Sequence, residues 1–449
     1  MLNESLVKAI EDSIKGKRYT EIKAILPLHP EDIANIISRL SSSTHKLFVF
    51  RLVPYDKAVD VFERLPREEE EEMLNTLNSQ EIKEILNEMS PDDRTGLFEE
   101  MPAELVKRFI ALLSPEERRI ALEILNYPPD SVGRLITPDF VQLYTTMDAK
   151  SALAHIREVG IKKETIYYSY VLDEKKLLIG IVSLKKLVIS DPQKKISEIM
   201  FKDVIKVNAF SDKEEAVNIF KHYDLPVLPV TDNSNRLLGI VTFDDLVDVL
   251  EEETTEDFEK IAAVLPVDKP YTEASFFELI WKRSFWLIVL VVLESSTSLV
   301  MKSYGATIQQ WVALSFFLPV LIATGGNAGM QSAMMVIRGL TTEDIQVKDF
   351  FKIVFREALL GISIGLILAI VGLIRVILQE GFAWNLSIAV GIAMGSTVMI
   401  AAVIGAAFPI LLRRFNLDPA LMSGPLITTI IDVVGIFIYF QIALTLLNL

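Results

Sequence analysis

The residue with the clearest chemical potential is Asp432, a carboxylate inside the apolar segment PLITTIIDVVGIFIYF. An acid at membrane depth is costly in hydrocarbon and usually has a function such as ion passage. Thr428 lies one helical turn earlier and can present a hydroxyl or a carbonyl on the same face. A protonated acid, or one hydrogen-bonded to a neighbouring helix, is the alternative. We predict that Asp432 binds a cation in a pore, with Thr428 beside it.

Small and amide-bearing residues interrupt a second apolar segment, FLPVLIATGGNAGMQS. Such a segment is tolerated at membrane depth where it is buried in protein or lines a wet path. The alternative, a close helix contact through small residues, does not account for the amides. The predicted pore-lining residues are Gly325, Gly326, Asn327 and Gln331. Glu294 lies among Ser and Thr in another apolar segment, and both a function and a packing role remain open for it.

The most acidic stretch, DDLVDVLEEETTEDFEK, holds nine carboxylates that only Lys260 offsets. A solvated helix face is one interpretation. Like charges at helical spacing repel one another, so a bound divalent ion would stabilise close packing of this segment. Because the segment leads directly into the first apolar run, it is a candidate gate. In MSPDDR, Asp92 and Asp93 lie in the first turn of a helix, where capping is the alternative explanation.

The charges are divided unevenly along the 449 residues. The chain has 45 Lys and Arg and 60 Asp and Glu, of which only eight of each follow Arg283, so the net charge of −15 lies before that point. This predicts an acidic soluble part joined to a neutral membrane part. An acidic surface argues against nucleic acid as a partner. Cysteine is absent, and neither a nucleophile–base pair nor a phosphate-binding G-x-x-x-x-G-K-[ST] occurs, so we expect no catalytic residues and no enzyme.

Five apolar segments are long enough to cross a lipid bilayer as helices. We predict them at about 284–301, 311–335, 358–378, 386–411 and 421–448. Basic residues in the connecting loops alternate by side, which favours a cytoplasmic N-terminus and an external C-terminus. The first 19 residues lack the apolar core of a signal peptide, in agreement with a cytoplasmic start at the plasma (inner) membrane.

The soluble part shows two kinds of repeat. Up to residue 130, turn formers recur about every 12 residues and each is followed by acids and spaced Leu or Ile, which predicts an α-superhelical N-domain. Residues 131–200 and 201–250 look like two copies of one α/β unit, each ending in a matching phrase, LLIGIVSLKKLV and LLGIVTFDDLVDVL. An acidic connecting helix at 251–270 and an all-α transmembrane domain at 271–449 complete the predicted multidomain membrane protein.

The two phrases resemble the cystathionine-β-synthase (CBS) module, which pairs in tandem and often binds adenine nucleotides. In that family a Thr or Ser followed three residues later by Asp holds the ribose. Thr242 and Asp245 match this pattern, whereas the first copy has Ser183 followed by Lys186. The resemblance therefore implies at most one such site, for ATP or a related adenine nucleotide. A purely structural, dimerising CBS pair is the alternative.

The whole chain resembles the MgtE family of magnesium transporters. The most specific matches are PVLIATGGNAGMQSAMMVIRGL and DPALMSGPLITTIIDVVG, with REALLGISIG between them. The resemblance implies a homodimer around one Mg²⁺ pore, with Asp432 of each subunit at the ion site. It also implies that cytosolic Mg²⁺ closes the pore by binding acids of the N-domain, the CBS pair and the connecting helix. The candidates are Asp92, Asp93, Asp212, Glu214, Asp224, Asp245, Asp248, Glu253, Glu256, Asp257 and Asp418.

Two other functions remain open on the residues alone. Oxygen ligands do not exclude a permease for another divalent cation such as Co²⁺ or Mn²⁺. A membrane-tethered CBS nucleotide sensor without transport is the second alternative, although Asp432 and the amides of the second segment argue against it.

Overall fold

A computed structural model describes residues 2–16, 18, 22–267, 271, 274–342, 344–378, 384–419 and 424–447. The chain divides into two compact units, Met1–Leu250 and Glu251–Leu449. The predicted external loop at 379–383, the predicted start of the fifth span at 421–423 and part of the predicted linker at 268–270 lie outside the described residues.

Short helices stacked in series form the first part of the first unit, as the repeat predicts. The helices are Leu2–Lys15, Pro30–Ser38, Ser43–Phe50, Tyr55–Phe62, Arg67–Thr76, Ser79–Glu88, Pro91–Glu100, Ala103–Leu112 and Pro115–Ile124. Six of them begin at a predicted turn former or at the residue after it, and these turn formers are Pro54, Pro66, Ser79, Pro91, Pro102 and Pro115. Five of the six are prolines, whose fixed φ suits the start of a helix and which have no N–H to satisfy there. Each helix buries one apolar face in a shared core that runs the length of the stack.

Two three-stranded sheets of identical topology follow in the first unit. The strands are β1 (Val141–Leu143), β2 (Tyr168–Leu172), β3 (Leu178–Ser183), β4 (Val207–Asn208), β5 (Val227–Thr231) and β6 (Leu237–Thr242). In each sheet the first strand pairs in parallel with the second, and the second pairs antiparallel with the third. The register shifts at the same place in both, between Val171 and Leu172 and between Val230 and Thr231. The structure thus has the duplicated α/β unit that the two phrases predict.

Helices cover these sheets and lead out of the second one. They are Ala149–Val159, Leu184–Ile189, Ile196–Ile199, Lys213–Tyr223 and Phe243–Ile261. The last, which we call the connecting helix, begins directly after β6 and ends at Ile261. Ala263 then adopts a left-handed φ of 55°, which stops the helical backbone.

Among its described residues, the second unit contains five helices long and apolar enough to span a membrane. Spans 1 to 5 are Phe276–Ser303, Val312–Thr341, Val347–Leu378, Trp384–Arg414 and Gly424–Leu447. The prediction of five spans is confirmed, and the first four helices extend beyond the predicted apolar cores. A short helix, Gly305–Gln310, joins spans 1 and 2.

Glycines bring the backbones of three spans close together. A Cβ at Gly405 of span 4 would lie 2.2 Å from the carbonyl oxygen of Gly329 in span 2. A Cβ at Gly365 of span 3 would lie 2.5 Å from the carbonyl oxygen of Gly395 in span 4. Such approach is the usual basis of helix packing in membranes, where small residues let the helices touch. Span 4 is therefore the central packing element of this unit.

Candidate functional site

Asp432 lies on span 5 against the glycine-rich part of span 2. Its side chain is only 8% exposed, and its Oδ1 has no hydrogen-bond partner among the described residues. A Cβ at Gly326 would lie 3.9 Å from this Oδ1 and 3.4 Å from Thr428 Cγ2. The absent side chain of Gly326 therefore leaves space beside Thr428 and Asp432. A buried carboxylate oxygen without a donor, next to such space, fits a site for a cation.

The two threonines before Asp432 use their hydroxyls on their own helix. Thr428 Oγ1 donates to the Pro425 carbonyl at 2.8 Å, and Thr429 Oγ1 lies 2.9 Å from the same oxygen. Pro425 opens span 5, so its carbonyl belongs to the first turn. Each hydroxyl keeps its lone pairs, because donation uses only its hydrogen. Thr428 lies on the face of span 5 that meets Gly326.

The four predicted pore-lining residues do not share one surface. Gly326 faces Thr428 and Asp432, whereas a Cβ at Gly325 would first meet Thr397 and Ile431. Asn327 and Gln331 are exposed, one turn apart on another face of span 2. Gln331 lines a cavity of about 360 Å³ with Arg356 and Glu357 of span 3. Helical geometry separates Gly326 and Gln331 by about 140° around the axis, so one pore surface cannot include both.

Five carboxylates of the first unit lie near enough to one another to interact electrostatically, and they come from the helical stack, the loop before β2 and the start of the connecting helix. They are Asp92, Asp93, Glu164, Asp244 and Asp245. Burial raises the pKa of Asp92 well above its usual value, and the charges of Asp245, Asp93 and Glu164 raise it further. Asp92 Oδ1 is buried without a hydrogen-bond partner among the described residues. The cluster therefore lacks positive charge that a cation could supply.

Two members of this cluster, Asp244 and Asp245, come from the connecting helix, and Asp245 is the more buried of them. Burial raises its pKa to about 7, and Asp244 and Asp93 act in the same direction, against the hydrogen bonds from Thr242. Burial likewise raises the pKa of Glu164, together with Asp244 and Asp93. No local sequence pattern marks Glu164, because its place in the cluster depends on how the loop before β2 packs.

Asp93 also belongs to a second group of buried acids within the helical stack. Its Oδ2 accepts a hydrogen bond from Ser90 Oγ at 2.6 Å, and Glu63 accepts from the Ser90 amide at 2.9 Å. Burial raises the pKa of Glu63 to about 7, with Asp93 adding to the shift. Burial does the same for Glu70, whose pKa rises to about 7 although Arg67 Nη1 lies 2.8 Å from it. Glu63 and Glu70 are further titratable residues that the sequence analysis missed.

Three predicted regulatory acids bound the helix Lys213–Tyr223. Asp212 is its N-cap, and the Asp212 side chain accepts from the Glu214 amide at 2.9 Å. Glu214 lies in the first turn, where a negative charge complements the helix dipole. Asp224 ends the helix in the left-handed conformation, with φ of 50°. Local structure thus accounts for the type of residue at all three positions, and it leaves carboxylate oxygens available to a cation.

The connecting helix is tied to the segment before span 5 by an ion-pair network. Lys260 Nζ lies 2.9 Å from both Glu256 Oε1 and Asp418 Oδ2. Burial alone would lower the pKa of Lys260, but its hydrogen bonds to Asp418 and Glu256 outweigh that effect and raise it. Two predicted regulatory acids therefore share one ammonium group. Of the other predicted acids on this helix, Asp248 is exposed, and Glu253 and Asp257 are half-buried.

Thr242 and Asp245, the predicted ribose-binding pair, contact each other. Thr242 Oγ1 lies 2.6 Å from Asp245 Oδ2, and the Thr242 amide donates to the same oxygen at 3.2 Å. Asp245 is the third residue of the connecting helix, so this contact resembles half of a capping box. In the first copy, Ser183 Oγ accepts from the Lys186 amide at 3.2 Å and caps its helix in the complementary way. The spacing that suggests ribose binding also serves helix capping.

No group of three or more Asp, Glu or His side chains converges as a preformed metal site within the described residues. A site made of one or two carboxylates with water would not appear as such a group. Mg²⁺ is commonly bound in this way, because it dehydrates reluctantly and keeps several of its waters.

These features define a multidomain membrane protein: a helical stack, a pair of CBS-type sheets, a connecting helix and five spans with a buried carboxylate. Residues 318–442 match the MgtE family model, described as a divalent cation transporter, and residues 28–130 match that of the MgtE intracellular N domain. Residues 196–252 match the CBS domain.

The chain is 37% identical to the magnesium transporter MgtE of Thermus thermophilus over the full length of both. It is 35% identical to that of Bacillus subtilis, over 78% of this chain and 77% of the relative. The crystal structure of the cytosolic domain of the Mg²⁺ channel MgtE in complex with ATP is 35% identical and has a TM-score of 0.51, covering 54% of this chain and 99% of that one. This chain belongs to the MgtE family of divalent cation transporters.

Proposed function

We propose that the protein is a channel-type transporter that imports Mg²⁺ across the plasma membrane and closes when cytosolic Mg²⁺ is high. The observation that carries the proposal is the unpartnered Oδ1 of Asp432, buried in span 5 beside Gly326 of span 2. The relatives from Thermus thermophilus and Bacillus subtilis, both named magnesium transporters, support Mg²⁺ as the cargo. Family membership speaks for transport and against a pore-less sensor or an enzyme.

Mg²⁺ would pass Asp432 as a largely hydrated ion. Because one carboxylate cannot replace the waters of Mg²⁺, Asp432 would contact the ion mainly through them. In the homodimer that we propose, the same residue of the second chain would provide a second carboxylate. Selectivity would come from the width of the path and the number of oxygen ligands. Membrane potential and the ion gradient would drive import, with the N-terminus cytoplasmic and the C-terminus external.

Closure would follow from Mg²⁺ binding to cytosolic acids. The cluster of Asp92, Asp93 and Asp245 is short of positive charge, since mutual repulsion and burial raise the pKa values of Asp92 and Asp245. A divalent ion that neutralises this cluster stabilises the compact, closed state relative to the open state. The size of the effect is the difference between the binding free energies of the ion in the two states. Asp212, Glu214, Asp224, Asp248, Glu253, Glu256, Asp257 and Asp418 are the other proposed ligands. Transport would thus be fastest when internal Mg²⁺ is low.

Flux measurements on the full chain test the transport function. In reconstituted vesicles with an internal Mg²⁺ indicator, we expect uptake by the wild type and its loss in Asp432→Asn, which keeps the shape of the side chain but removes the charge. Glu357→Gln is the matched control, because it removes an intramembrane charge that is bonded to Ser332 instead. Undiminished uptake in Asp432→Asn would contradict the pore assignment. Competition by Co²⁺ or Mn²⁺ in the same vesicles would show whether the site prefers Mg²⁺.

A second flux experiment tests the gate. We expect neutralisation of Asp245, Asp248, Glu253 and Asp257 together to leave uptake running at high internal Mg²⁺. The control variant makes the same charge change away from the connecting helix, by neutralising four exposed acids of the first unit: Glu88, Glu104, Glu158 and Glu174. Normal inhibition in the first variant, or equal loss of inhibition in both, would contradict specific binding of Mg²⁺ to the acidic gate.

Adenine nucleotide binding at the CBS pair is a second candidate function. It is supported by the solved relative in complex with ATP and by Thr242, which retains its hydroxyl beside Asp245. Binding of ATP would require Thr242 to exchange its contact with Asp245 for the ribose. Calorimetry on the full chain tests this: Thr242→Val should weaken ATP binding, with Ser183→Ala as the matched change in the first copy. Equal affinity in wild type and Thr242→Val would remove Thr242 from the site.

A further inference from the structure

Glu294 of span 1 shares its surroundings with Asp432. Its Oε2 lies 3.4 Å from Thr429 Oγ1 of span 5, and its charge acts on Asp432. Thr429 and Asp432 are three residues apart, so they lie on adjoining parts of one helix face. Two carboxyl groups from two spans therefore converge beside one hydroxyl.

Neither carboxyl group has a balancing cation in the described part of the chain, where no ion pair includes Glu294 or Asp432. The single hydroxyl hydrogen of Thr429 has a closer acceptor in the Pro425 carbonyl, at 2.9 Å. Since a hydroxyl has one hydrogen to donate, Glu294 Oε2 is the more distant of two acceptors that compete for it. Asp432 Oδ1, on a side chain that is only 8% exposed, is also without a donor among the described residues. Two carboxyl groups on neighbouring spans are thus poorly supplied with hydrogen-bond donors, and a cation would supply the missing positive charge.

The exposed position of Glu294 limits what can lie against its side chain in the membrane. The side chain is exposed on this single chain, although its helix is a membrane span. An ionised carboxylate facing lipid is costly, and intramembrane acids almost always face a bundle interior or a water-filled path. The contact with Thr429 alone does not remove this cost, because it is long, at 3.4 Å, and the Pro425 carbonyl competes for the same hydrogen at 2.9 Å.

We propose that Glu294 forms a second subsite for a hydrated divalent cation, about 4.5 Å along span 5 from Asp432 toward its Gly424 end. This subsite rests on the proposed transport function. Thr429 Oγ1 contributes a lone pair to a water of the ion, and Glu294 contributes the charge. Conduction needs binding that is strong enough to admit the ion and weak enough to release it, which adjacent sites provide better than one deep site. Glu294 would therefore receive the ion that leaves Asp432.

The test is Mg²⁺ uptake by the full chain in vesicles, measured against external Mg²⁺ for wild type, Glu294→Gln, Glu294→Asp and Thr429→Val. Glu294→Gln keeps the size and removes the charge, so we expect the half-saturating Mg²⁺ concentration to rise about tenfold, the equivalent of about 1.4 kcal/mol. Glu294→Asp keeps the charge but withdraws it by one methylene, and we expect a smaller rise. Thr429→Val removes the contact with Glu294 and leaves the charge, so we expect less change than with Glu294→Gln.

Each outcome has a distinct meaning. Wild-type half-saturation in Glu294→Gln, with normal wild-type uptake, would overturn the subsite and leave the transport function intact. A rise in Thr429→Val equal to that in Glu294→Gln would assign the effect to packing and also overturn the subsite. No uptake by the wild type would overturn the transport function and the subsite together. If Glu294→Gln does not elute as a folded protein, the result for Glu294→Asp is used in its place. A half-saturating Mg²⁺ concentration equal to that of the wild type would then overturn the subsite.

Discussion

At the scale of single residues, two glycines on the packing surfaces of the spans have different roles. A Cβ at Gly405 would lie 2.2 Å from a backbone oxygen of span 2, so the helices themselves would have to move apart. A Cβ at Gly326 would meet only side chains, 3.4 Å from Thr428 Cγ2 and 3.9 Å from Asp432 Oδ1. The first glycine permits the fold, whereas the second leaves the space in which an ion could sit.

We therefore expect one alanine substitution to affect stability and the other to affect transport. Gly405→Ala should lower the free energy of unfolding by roughly 1–3 kcal/mol, because overpacking forces backbone shifts. Gly326→Ala should leave that free energy within about 1 kcal/mol of wild type, since a methyl group in a helix is itself favourable. It should nevertheless reduce Mg²⁺ uptake, because the methyl group takes space beside Asp432. Thermal unfolding in detergent and flux in vesicles measure the two effects; normal flux in Gly326→Ala would contradict this role.

At the scale of elements, Lys260 determines how the connecting helix is held within the second unit. Its ammonium group joins Glu256 of that helix to Asp418, which precedes span 5. These pairs are partly exposed, with 18% of the Lys260 side chain and 34% of the Asp418 side chain accessible. A partly exposed pair contributes little by itself. Loss of the cation, however, would leave two acids facing each other.

Removal of Lys260 should make this junction depend on Mg²⁺. In Lys260→Met we expect faster amide hydrogen exchange at residues 256–261 without Mg²⁺, because Glu256 and Asp418 then repel each other. Added Mg²⁺ should slow that exchange, since it can take the place of the ammonium group, whereas the wild type should respond less. Lys213→Met, at the start of another helix, is a control for loss of a positive charge. Equal exchange in wild type and Lys260→Met would show that the ion pair does not hold the junction.

The sequence predicted those elements whose signals are local. Helix starts at Pro54, Pro66 and Pro91 follow from the backbone of proline, and Asp432 stands out because it interrupts an apolar run. The placement of Glu164 beside Asp92 could not be predicted, since residues far apart in sequence meet there. Thr242 and Asp245 have a spacing that fits both ribose binding and helix capping, and the sequence does not separate these uses.

At the scale of the whole molecule, the negative charge lies in the first part of the chain, and several of its carboxylates are buried. The chain has a net charge of −15, and the membrane part contributes none of it. Burial raises the pKa of Glu63, Glu70 and Asp245 to about 7. The folded first unit therefore holds protons at a pH where the unfolded chain has released them. Protons and Mg²⁺ compete for the same kind of oxygen.

This competition predicts that the stability of the first unit depends on pH and that Mg²⁺ weakens this dependence. A raised carboxylate pKa contributes stability that is fully present below the unfolded value, near 4, and is lost as pH rises through the folded value, near 7. The loss is roughly 1.4 kcal/mol for each unit of pKa difference, before screening reduces it for the more exposed groups. Without Mg²⁺, the local stability of the first unit should thus fall between pH 5 and pH 8.

Mg²⁺ should restore stability at pH 8 and have little effect at pH 5, because metal binding requires deprotonated ligands. Hydrogen exchange of peptides from residues 86–98 and 237–250 measures this stability on the full chain. Tryptophan fluorescence would not report on the first unit, because all four Trp lie beyond residue 280. Asp92→Asn and Asp245→Asn together should flatten the pH dependence and remove the response to Mg²⁺, because an amide neither titrates here nor offers charge. Glu158→Gln, an exposed acid, should change neither. Protection that rises with pH in the absence of Mg²⁺ would contradict the acidic cluster as the place where protons and Mg²⁺ compete.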